Sequence, residues 1–448
     1  MSKAKEYSWM TKDKMMTYTL VALAILAVIT TALWWPITQQ GWSLGLTVLV
    51  SCIISVIVAI ALDYMVSLVM KEKGPVNTMS AAVFGLIVAL SYSYGLPVMA
   101  SVELLPLTAP QAFIYVAIIS ALGLVAFKKL QGLLGRKYVN PAAAAKLLVL
   151  LPFLHQILLP KDHTQYIPTL AAKLVYEGQN SFASALQFCF ANPDLLSRGV
   201  VSIPPSPSEL FWTLGVAKYH GWAGGASSIA VIIVGIGLFM VARKYIKWRI
   251  TAAYFASTII MSLIMTMVYG GDALLRLGFH IFVGSSIFLA FFMATDPATT
   301  PLTHRGQSIF GVGLGVLTVL IQTYMNFFGG SILALIIMNL TSPWLDKVGL
   351  PKPSEEKIEA KLPRAQPFEA VKATACMRCG VCLEVCCHKL SPILIKEAFD
   401  KGKTEILRAL RADLCDGCGH CTFVCPARID LRSFTLKAKA SLRTEKSQ

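Results

Sequence analysis

The sequence predicts an all-α protein with a polytopic membrane part of about ten transmembrane helices, followed by a small helical domain rich in cysteine. Of the 448 residues, 55% are hydrophobic and only 14% are charged, with a mean hydropathy of +0.63. Soluble globular proteins carry roughly 25% charged residues. Long apolar runs follow one another between residues 15 and 346, and nine of the eleven cysteines lie between Cys376 and Cys425.

Most of the apolar runs reach the roughly 20 residues that a membrane-spanning helix needs. The runs are Met15–Trp35, Ser43–Met70, Thr78–Ala100, Ala109–Phe127, Pro141–Pro160, Gly224–Ala242, Thr251–Gly270, Leu275–Ala294, Ser308–Phe328 and Ser331–Leu345. The last run is short enough to be tilted or re-entrant. Small residues and prolines recur in both halves, which favours an inverted repeat of five helices each. Such residues are also common in unrelated membrane helices.

The basic residues indicate that both termini are cytoplasmic. The N-terminal tail, residues 1–14, and alternate connections carry Lys or Arg, whereas the other short connections carry only Arg276. This is the pattern of the positive-inside rule, and it makes the long segment 161–222 external. The basic residues are Lys3, Lys5, Lys12, Lys14, Lys71, Lys73, Lys128, Lys129, Arg136, Lys137, Arg243, Lys244, Lys247, Arg249 and Arg305. The distribution of the basic residues thus explains the net charge of +16 without a nucleic-acid partner. We expect a protein of the cytoplasmic membrane, in contact with lipid.

A polar, proline-rich linker at 347–368 separates the membrane part, 15–346, from a cytoplasmic domain at 369–448. This domain contains two cysteine strings with the same spacing. The first is Cys376-x2-Cys379-x2-Cys382-x3-Cys386, and the second is Cys415-x2-Cys418-x2-Cys421-x3-Cys425-Pro426. In two-cluster ferredoxins the fourth cysteine of each string binds the other cluster. We therefore expect one [4Fe–4S] cluster on Cys376, Cys379, Cys382 and Cys425, and a second on Cys415, Cys418, Cys421 and Cys386.

Zinc is the alternative metal, because paired C-x2-C runs also bind it. Eight cysteines in two identical strings favour iron and sulfur. Cys387, where a proline is usual, is expected to be a small buried residue. His388 and His420 are expected to flank clusters rather than to ligate them.

Helices are predicted on both sides of the second cysteine string. The segment from Pro392 to Leu414 has the apolar pattern of one or two helices, and Leu431 to Leu442 has that of another. The second segment carries Arg432, Lys437 and Lys439. This basic surface could bind an acidic electron donor, and it is equally compatible with a solvated face or with anionic lipid.

The membrane part resembles the D subunit of the Rnf complex and the B subunit of the Na⁺-pumping NADH:quinone reductase, a fold similar to that of urea channels. The similar stretches are 133–142, 291–300, Asn339 and Ser342-Pro343. The cysteine-rich domain resembles the C-terminal ferredoxin part of RnfC, another protein of the same complex, at 376–380, 390–392 and 425–431, and the NADH-binding portion of RnfC is absent. The resemblance implies membership of a multi-subunit, ion-pumping electron-transfer complex, with FMN in the membrane part.

By the same resemblance, broken helices at Asn140, Pro141, Thr295 and Asp296 face the flavin or an ion. Family members attach FMN to a threonine in a Ser-Gly-Ala-Thr type motif on an outer segment. Here the corresponding stretch, 199–207, has no threonine, and Ser206, which has a hydroxyl at the corresponding place, follows a proline. Because the neighbouring prolines stiffen this stretch, we expect any flavin to be held without a covalent bond.

Two ionisable residues fall inside apolar runs. Asp63 lies deep in the second run, where a carboxylate either belongs to an ion path or pairs with a basic group such as Lys146. His280 is expected to be a hydrogen-bonded packing residue.

The leading functional hypothesis is a redox subunit. Its cytoplasmic clusters accept electrons from a partner protein and pass them to a membrane flavin or a neighbouring subunit, coupled to Na⁺ or H⁺ movement. The chain alone contains no complete active site. The alternatives are a non-pumping quinone or phenazine reductase subunit and a solute channel; the ferredoxin-like tail argues against the channel.

Overall fold

The computed structural model describes residues 6–39, 41–70, 78–95, 109–133, 136–150, 215–216, 221–270, 273–282, 286–324, 329–367 and 373–446. Ser206, and all of the predicted external segment except 215–216 and 221–222, lie outside these residues. Each predicted apolar run contains helix. The helices of the membrane part are α1 Lys12–Trp34, α2 Leu44–Val69, α3 Thr78–Leu90, α4 Ala109–Leu122, α5 Pro141–Leu150, α6 Ser228–Ala242, α7 Trp248–Tyr269, α8 Ala273–Phe282, α9 Ser286–Met293, α10 His304–Tyr324 and α11 Gly330–Leu345.

Five of the described helices are long and apolar enough to cross a membrane. They are α1, α2, α7, α10 and α4, which continues through π-helical turns to Leu130. On α2, polar Ser51 and Ser55 are buried, whereas Ile53 and Ile57 are exposed. A helix with this distribution places its polar side chains against its neighbours and its apolar side chains against lipid. The chain is a multi-pass membrane protein.

The predicted helix over Thr78–Ala100 is wrong in its length. Helix α3 ends at Leu90 after 13 residues, which is about 20 Å and too short for the roughly 30 Å hydrocarbon core. Beyond it, strand Ser93–Gly95 pairs antiparallel with Gly221–Trp222. The chain therefore leaves the helical path because its main chain finds partners across the fold, which no local pattern reveals.

The single helix predicted over Leu275–Ala294 is also wrong. Helices α8 and α9 together are long and apolar enough for a sixth span, but the direction of the chain bends by 55° between them. The end of α9 is π-helical from Leu289 to Met293. The side-chain amide of Asn140 donates to the carbonyl oxygen of Met293 at 3.2 Å. The irregular end of α9 is thus held by a residue from the other half of the chain.

The cysteine-rich domain is helical, and its helices are α12 Val381–Glu384, α13 Pro392–Asp400, α14 Thr404–Ala409, α15 His420–Phe423 and α16 Leu431–Lys446. The helices predicted at Pro392–Leu414 and Leu431–Leu442 are confirmed. Helices α12 and α15 follow corresponding cysteines of the two strings, 39 residues apart (415 − 376 for the first cysteines). The two strings therefore fold alike.

The N-terminal residues connect the cysteine-rich domain to the membrane part. Strand Glu6–Ser8 pairs antiparallel with Ala365–Pro367 at the end of the linker. The guanidinium of Arg428 lies over the Tyr7 ring, 4.3 Å from its centroid. The amide of Lys12, the first residue of α1, donates to the carbonyl oxygen of Pro426 at 3.0 Å. The loop after the last cysteine is therefore seated on the start of the first membrane helix.

Candidate metal centres

The eight string cysteines line two separate cavities. Cys376, Cys379, Cys382 and Cys425 line the first cavity. Cys386, Cys415, Cys418 and Cys421 line the second cavity. Each cavity thus receives three cysteines from one string and the fourth cysteine from the other, which is the grouping of a two-cluster ferredoxin.

The backbone around both cavities adopts the same unusual conformations. Gly380 and Gly419, each directly after the second cysteine of its string, have φ angles of 84° and 85°. Lys389 and Arg428, each three residues after the fourth cysteine, have φ angles of 54° and 56°. A side-chain-bearing residue in this region costs on the order of 1–3 kcal/mol and persists where the surrounding structure requires it. The repeated strain indicates that the surrounding structure imposes the same backbone conformation on both strings.

The chemistry of the donor set fits a cluster that binds thiolates. None of the ten described cysteines is in a disulfide. Burial raises the pKa of Cys379 to about 12 and that of Cys425 to about 11. Four thiols that converge in one buried cavity have no electrostatic reason to ionise unless a cation is bound there, since desolvation penalises the charged form. Iron would supply that positive charge, and each set of four cysteines has the ligand number of a [4Fe–4S] cluster.

The two cavities differ in exposure. Each cavity has one exposed cysteine, Cys376 in the first and Cys418 in the second, but two cysteines of the first cavity, Cys382 and Cys425, are buried and none of the second is. Cys379 packs against the same apolar core as the membrane helices. A Cβ on Gly380 would lie 2.9 Å from the carbonyl oxygen of Leu302, which precedes α10. The first cavity therefore faces the membrane part.

A buried carboxylate stabilises the contact between the first cysteine string and the membrane part. Asp346, at the end of α11, is 4% exposed. Its Oδ2 contacts the guanidinium groups of Arg136 and Arg378, the latter at 2.7 Å. Its Oδ1 accepts a hydrogen bond from the amide of Leu302 at 2.8 Å. Because Arg378 lies between two cysteines of the first string, Asp346 links that string to the membrane helices.

The flavin candidates predicted from the resemblance lie together in the membrane part. Asn140, Pro141, Thr295 and Asp296 line one cavity of about 120 Å³, along with Lys128 and Lys137. Ligand pockets for small molecules typically measure about 300–1,000 Å³. The cavity has the size of a small anion or hydrated ion, and a flavin ring would enter only after its walls move apart.

Asn140 and Asp296 each cap a turn at this cavity. The side-chain oxygen of Asn140 accepts hydrogen bonds from the amides of Ala142 and Ala143 at 3.1 and 3.2 Å, which caps α5 directly before Pro141. Asp296 accepts from the amide of Ala298 and the hydroxyl of Thr299, both at 3.3 Å. Two short caps from opposite halves of the chain thus lie at one cavity, where α5 begins and where the turn after α9 starts.

Asp63 pairs with Lys129, not with Lys146. The carboxylate of Asp63, 3% exposed, lies 3.2 Å from the Lys129 ammonium. Lys146 instead donates to the carbonyl oxygen of Ser91 and lies over the Trp222 ring, 4.3 Å from its centroid. Lys129 is on the π-helical continuation of α4, whose turns bring it towards α2. An ion path through Asp63 stays a prediction.

His280 has the environment of a packing residue. It is 2% exposed, and its Nδ1 lies 2.9 Å from the side-chain oxygen of Gln322 on α10. This is the role expected from the sequence.

A comparison with known proteins decides the family. The model of the NQR2, RnfD, RnfE family matches residues 10–355. The chain belongs to this family. The match ends before the first cysteine string, so the cysteine-rich domain lies outside the part that defines an NQR2, RnfD, RnfE family member.

Curated relatives of this family member match most of its membrane part. The D subunit of the Na(+)-translocating ferredoxin:NAD(+) oxidoreductase complex of Acetobacterium woodii is 28% identical over 307 residues, which are 68% of this chain and 82% of the relative. The D subunit of the ion-translocating oxidoreductase complex of Aeromonas hydrophila is 26% identical over 362 residues, 76% of this chain and 95% of the relative. The protein of the same name from Methanosarcina acetivorans is 32% identical over 156 residues, 35% of this chain and 49% of the relative.

Sequence reasoning missed several residues at the sites of this NQR2, RnfD, RnfE family member. Lys128 and Lys137 were assigned only to a charged connection, although both line the membrane cavity. Arg378 and Asp346 were not singled out, although they join the two parts of the chain. The one local signal was Arg378 itself. An arginine inside a cysteine string does not bind metal, so its charge indicates a contact with an acidic group elsewhere.

Proposed function

We propose that this chain is a membrane electron-transfer subunit of an Rnf-type, ion-translocating oxidoreductase complex. The observation that carries this proposal is the grouping of the cysteines into two cavities, the first of which packs against the membrane part that the family model matches. The names of the curated relatives, which are D subunits of ion-translocating oxidoreductase complexes, support it. Its partners are then the other subunits of such a complex and a cytoplasmic electron donor.

The contacts between the two parts suggest the order of the electron carriers. Bound [4Fe–4S] clusters would supply one-electron transfer, and the exposed second cavity would face the donor. The segment at Tyr245 and Lys247 lies close enough to Cys379 for electrostatic interaction. The residue between them, Ile246, lines the membrane cavity. This one short segment therefore lies near the first metal site and lines the cavity that is the candidate flavin or ion site.

The residues of this segment also hold the broken helix end in place. The ammonium of Lys247, 3% exposed, donates to the carbonyl oxygens of Pro297 and Thr300, both at 2.8 Å. The hydroxyl groups of Tyr245 and Ser8 lie 3.2 Å apart, and the carbonyl oxygen of Ser8 accepts from Arg428 at 3.1 Å. These bonds orient the segment between the cysteine-rich domain and the Asp296 turn. A movement of the cysteine-rich domain would thus be transmitted through this segment to the membrane cavity. Such a movement would couple electron transfer to the transport of Na⁺ or H⁺.

Cluster assignment by single cysteine variants tests the proposal. We expect the purified chain to contain about eight non-haem irons, and reduction to give the EPR signals of two clusters. Cys425→Ser and Cys376→Ser should then damage the same cluster, and Cys386→Ser and Cys415→Ser the other. Cys52→Ser, which changes a buried thiol in α2, is the matched control and should leave all iron in place. Stoichiometric zinc with little iron would contradict the proposal, as would damage that follows each string separately.

A further inference from the structure

Cys387 is the one described thiol of the cysteine-rich domain that lines neither metal cavity. It is 2% exposed, and it occupies the position that Pro426 occupies after the second string. Its carbonyl oxygen accepts a hydrogen bond from the amide of Ile358 in the linker at 2.9 Å. This main-chain bond does not need a thiol, so the side chain itself is unexplained by the fold.

The thiol of Cys387 lies between a ligand of the second cavity and a histidine. Its Sγ is 3.0 Å from Nδ1 of His420. The ligand atoms of Cys387, Cys418 and His420 all lie within 4.8 Å of one another, so the thiol of Cys387 is close to the sulfur of Cys418. In the chain His420 Nδ1, Cys387 Sγ, Cys418 Sγ, the middle sulfur can donate to the sulfur that would bind iron.

We propose that Cys387 is a positioning residue that raises the reduction potential of the second cluster through a hydrogen bond to the sulfur of Cys418. This inference rests on the proposed function, since it requires a cluster on Cys418. Reduction adds negative charge to a cluster, and hydrogen bonds to its sulfurs stabilise that charge, which is one of the levers that set cluster potentials. A proline cannot donate such a bond, and Pro426 follows the first cluster's fourth ligand. The effect is therefore confined to the second cluster.

EPR-monitored redox titration of the full chain tests this inference. Cys387→Ala should shift the midpoint potential of the second cluster to a more negative value, with iron content unchanged and the first cluster unaffected. Cys387→Ser keeps a donor at the same position and should give a smaller shift. Cys52→Ala, which removes another buried thiol, should shift neither cluster.

Two results would overturn the inference. One is an unchanged potential of the second cluster in Cys387→Ala at full iron content. The other is loss of half of the iron in Cys387→Ala together with its retention in Cys386→Ala, which would make Cys387 a ligand instead. A failure of the proposed function is distinguishable from both, because the unsubstituted chain would then lack iron before any substitution is made.

Discussion

The Asp346 carboxylate makes the strongest single prediction, because it joins three segments that are distant in sequence. It contacts Arg136 between α4 and α5 and Arg378 in the first cysteine string, and it accepts from the amide of Leu302. We expect Asp346→Asn to loosen the cysteine-rich domain from the membrane part. Asparagine keeps an oxygen acceptor for Leu302 and nearly the same volume, so the substitution removes the negative charge and little else.

The magnitude follows from the partners that remain. Breaking a buried ion pair by removing one partner costs about 3–5 kcal/mol. Arg378 keeps a second carboxylate, Glu397, and the pair of Asp346 with Arg136 lies within the membrane part, so its loss affects the docked and the undocked state alike. Because the contact with Arg378 is the one that crosses to the cysteine-rich domain, the cost to docking should be that of one hydrogen bond to a charged group, about 1.5 kcal/mol, which is roughly a 10-fold change in the equilibrium between docked and undocked domain.

Hydrogen exchange at Lys12 reports this equilibrium directly. Its amide is the first of α1 and has no partner within the helix; it donates to Pro426 in the cysteine-rich domain. The amide should exchange about 10-fold faster in Asp346→Asn if it exchanges through undocking. Asp400→Asn is the control, because it breaks an exposed pair with Lys396 that is worth only about 0.3–0.5 kcal/mol. Equal exchange in the two variants would refute the role given to Asp346.

Three further predictions concern packing, topology and the flavin. Gly45→Ala places a Cβ against the main-chain oxygen of Thr31 in α1 and should cost about 1–3 kcal/mol in thermal unfolding, whereas Gly237→Ala, with nothing within 4 Å, should be neutral. A cysteine introduced at Gln179 should react with an impermeant thiol reagent in intact cells and one at Ser354 should not; the reverse would invert the topology. Denaturing electrophoresis under ultraviolet light should show no fluorescent band, and a band lost on Ser206→Ala would disprove non-covalent attachment.

The membrane helices show how far local pattern reaches. Hydropathy located helix in every predicted run because the bilayer acts on each segment separately. It did not reveal that α3 stops at Leu90, or that α8 and α9 are two helices. Helix α3 ends where the chain pairs with the distant strand at Gly221–Trp222, and the far end of α9 is held by the Asn140 amide from the other half of the chain.

Ionisable residues inside the membrane part illustrate the same limit. The sequence identified Asp63 as an intramembrane carboxylate that needs a partner, since burial of a lone charge is costly. It named Lys146, whereas the partner is Lys129. The sequence offers no reason to prefer one lysine over the other as the partner of Asp63. The π-helical continuation of α4 decides which ammonium approaches α2.

By itself, the sequence determined the fold class, the helical segments and the two sets of cysteines, because hydropathy and ligand spacing are properties of neighbouring residues. Only the tertiary structure decided that the first cavity lies against the membrane helices, and that Asp346 and the N-terminal strand hold it there. Those contacts join residues up to 420 positions apart, as between Ser8 and Arg428. Such pairs form because buried charges and unpaired main-chain groups must find partners, and the sequence does not show which distant partner the fold brings within reach.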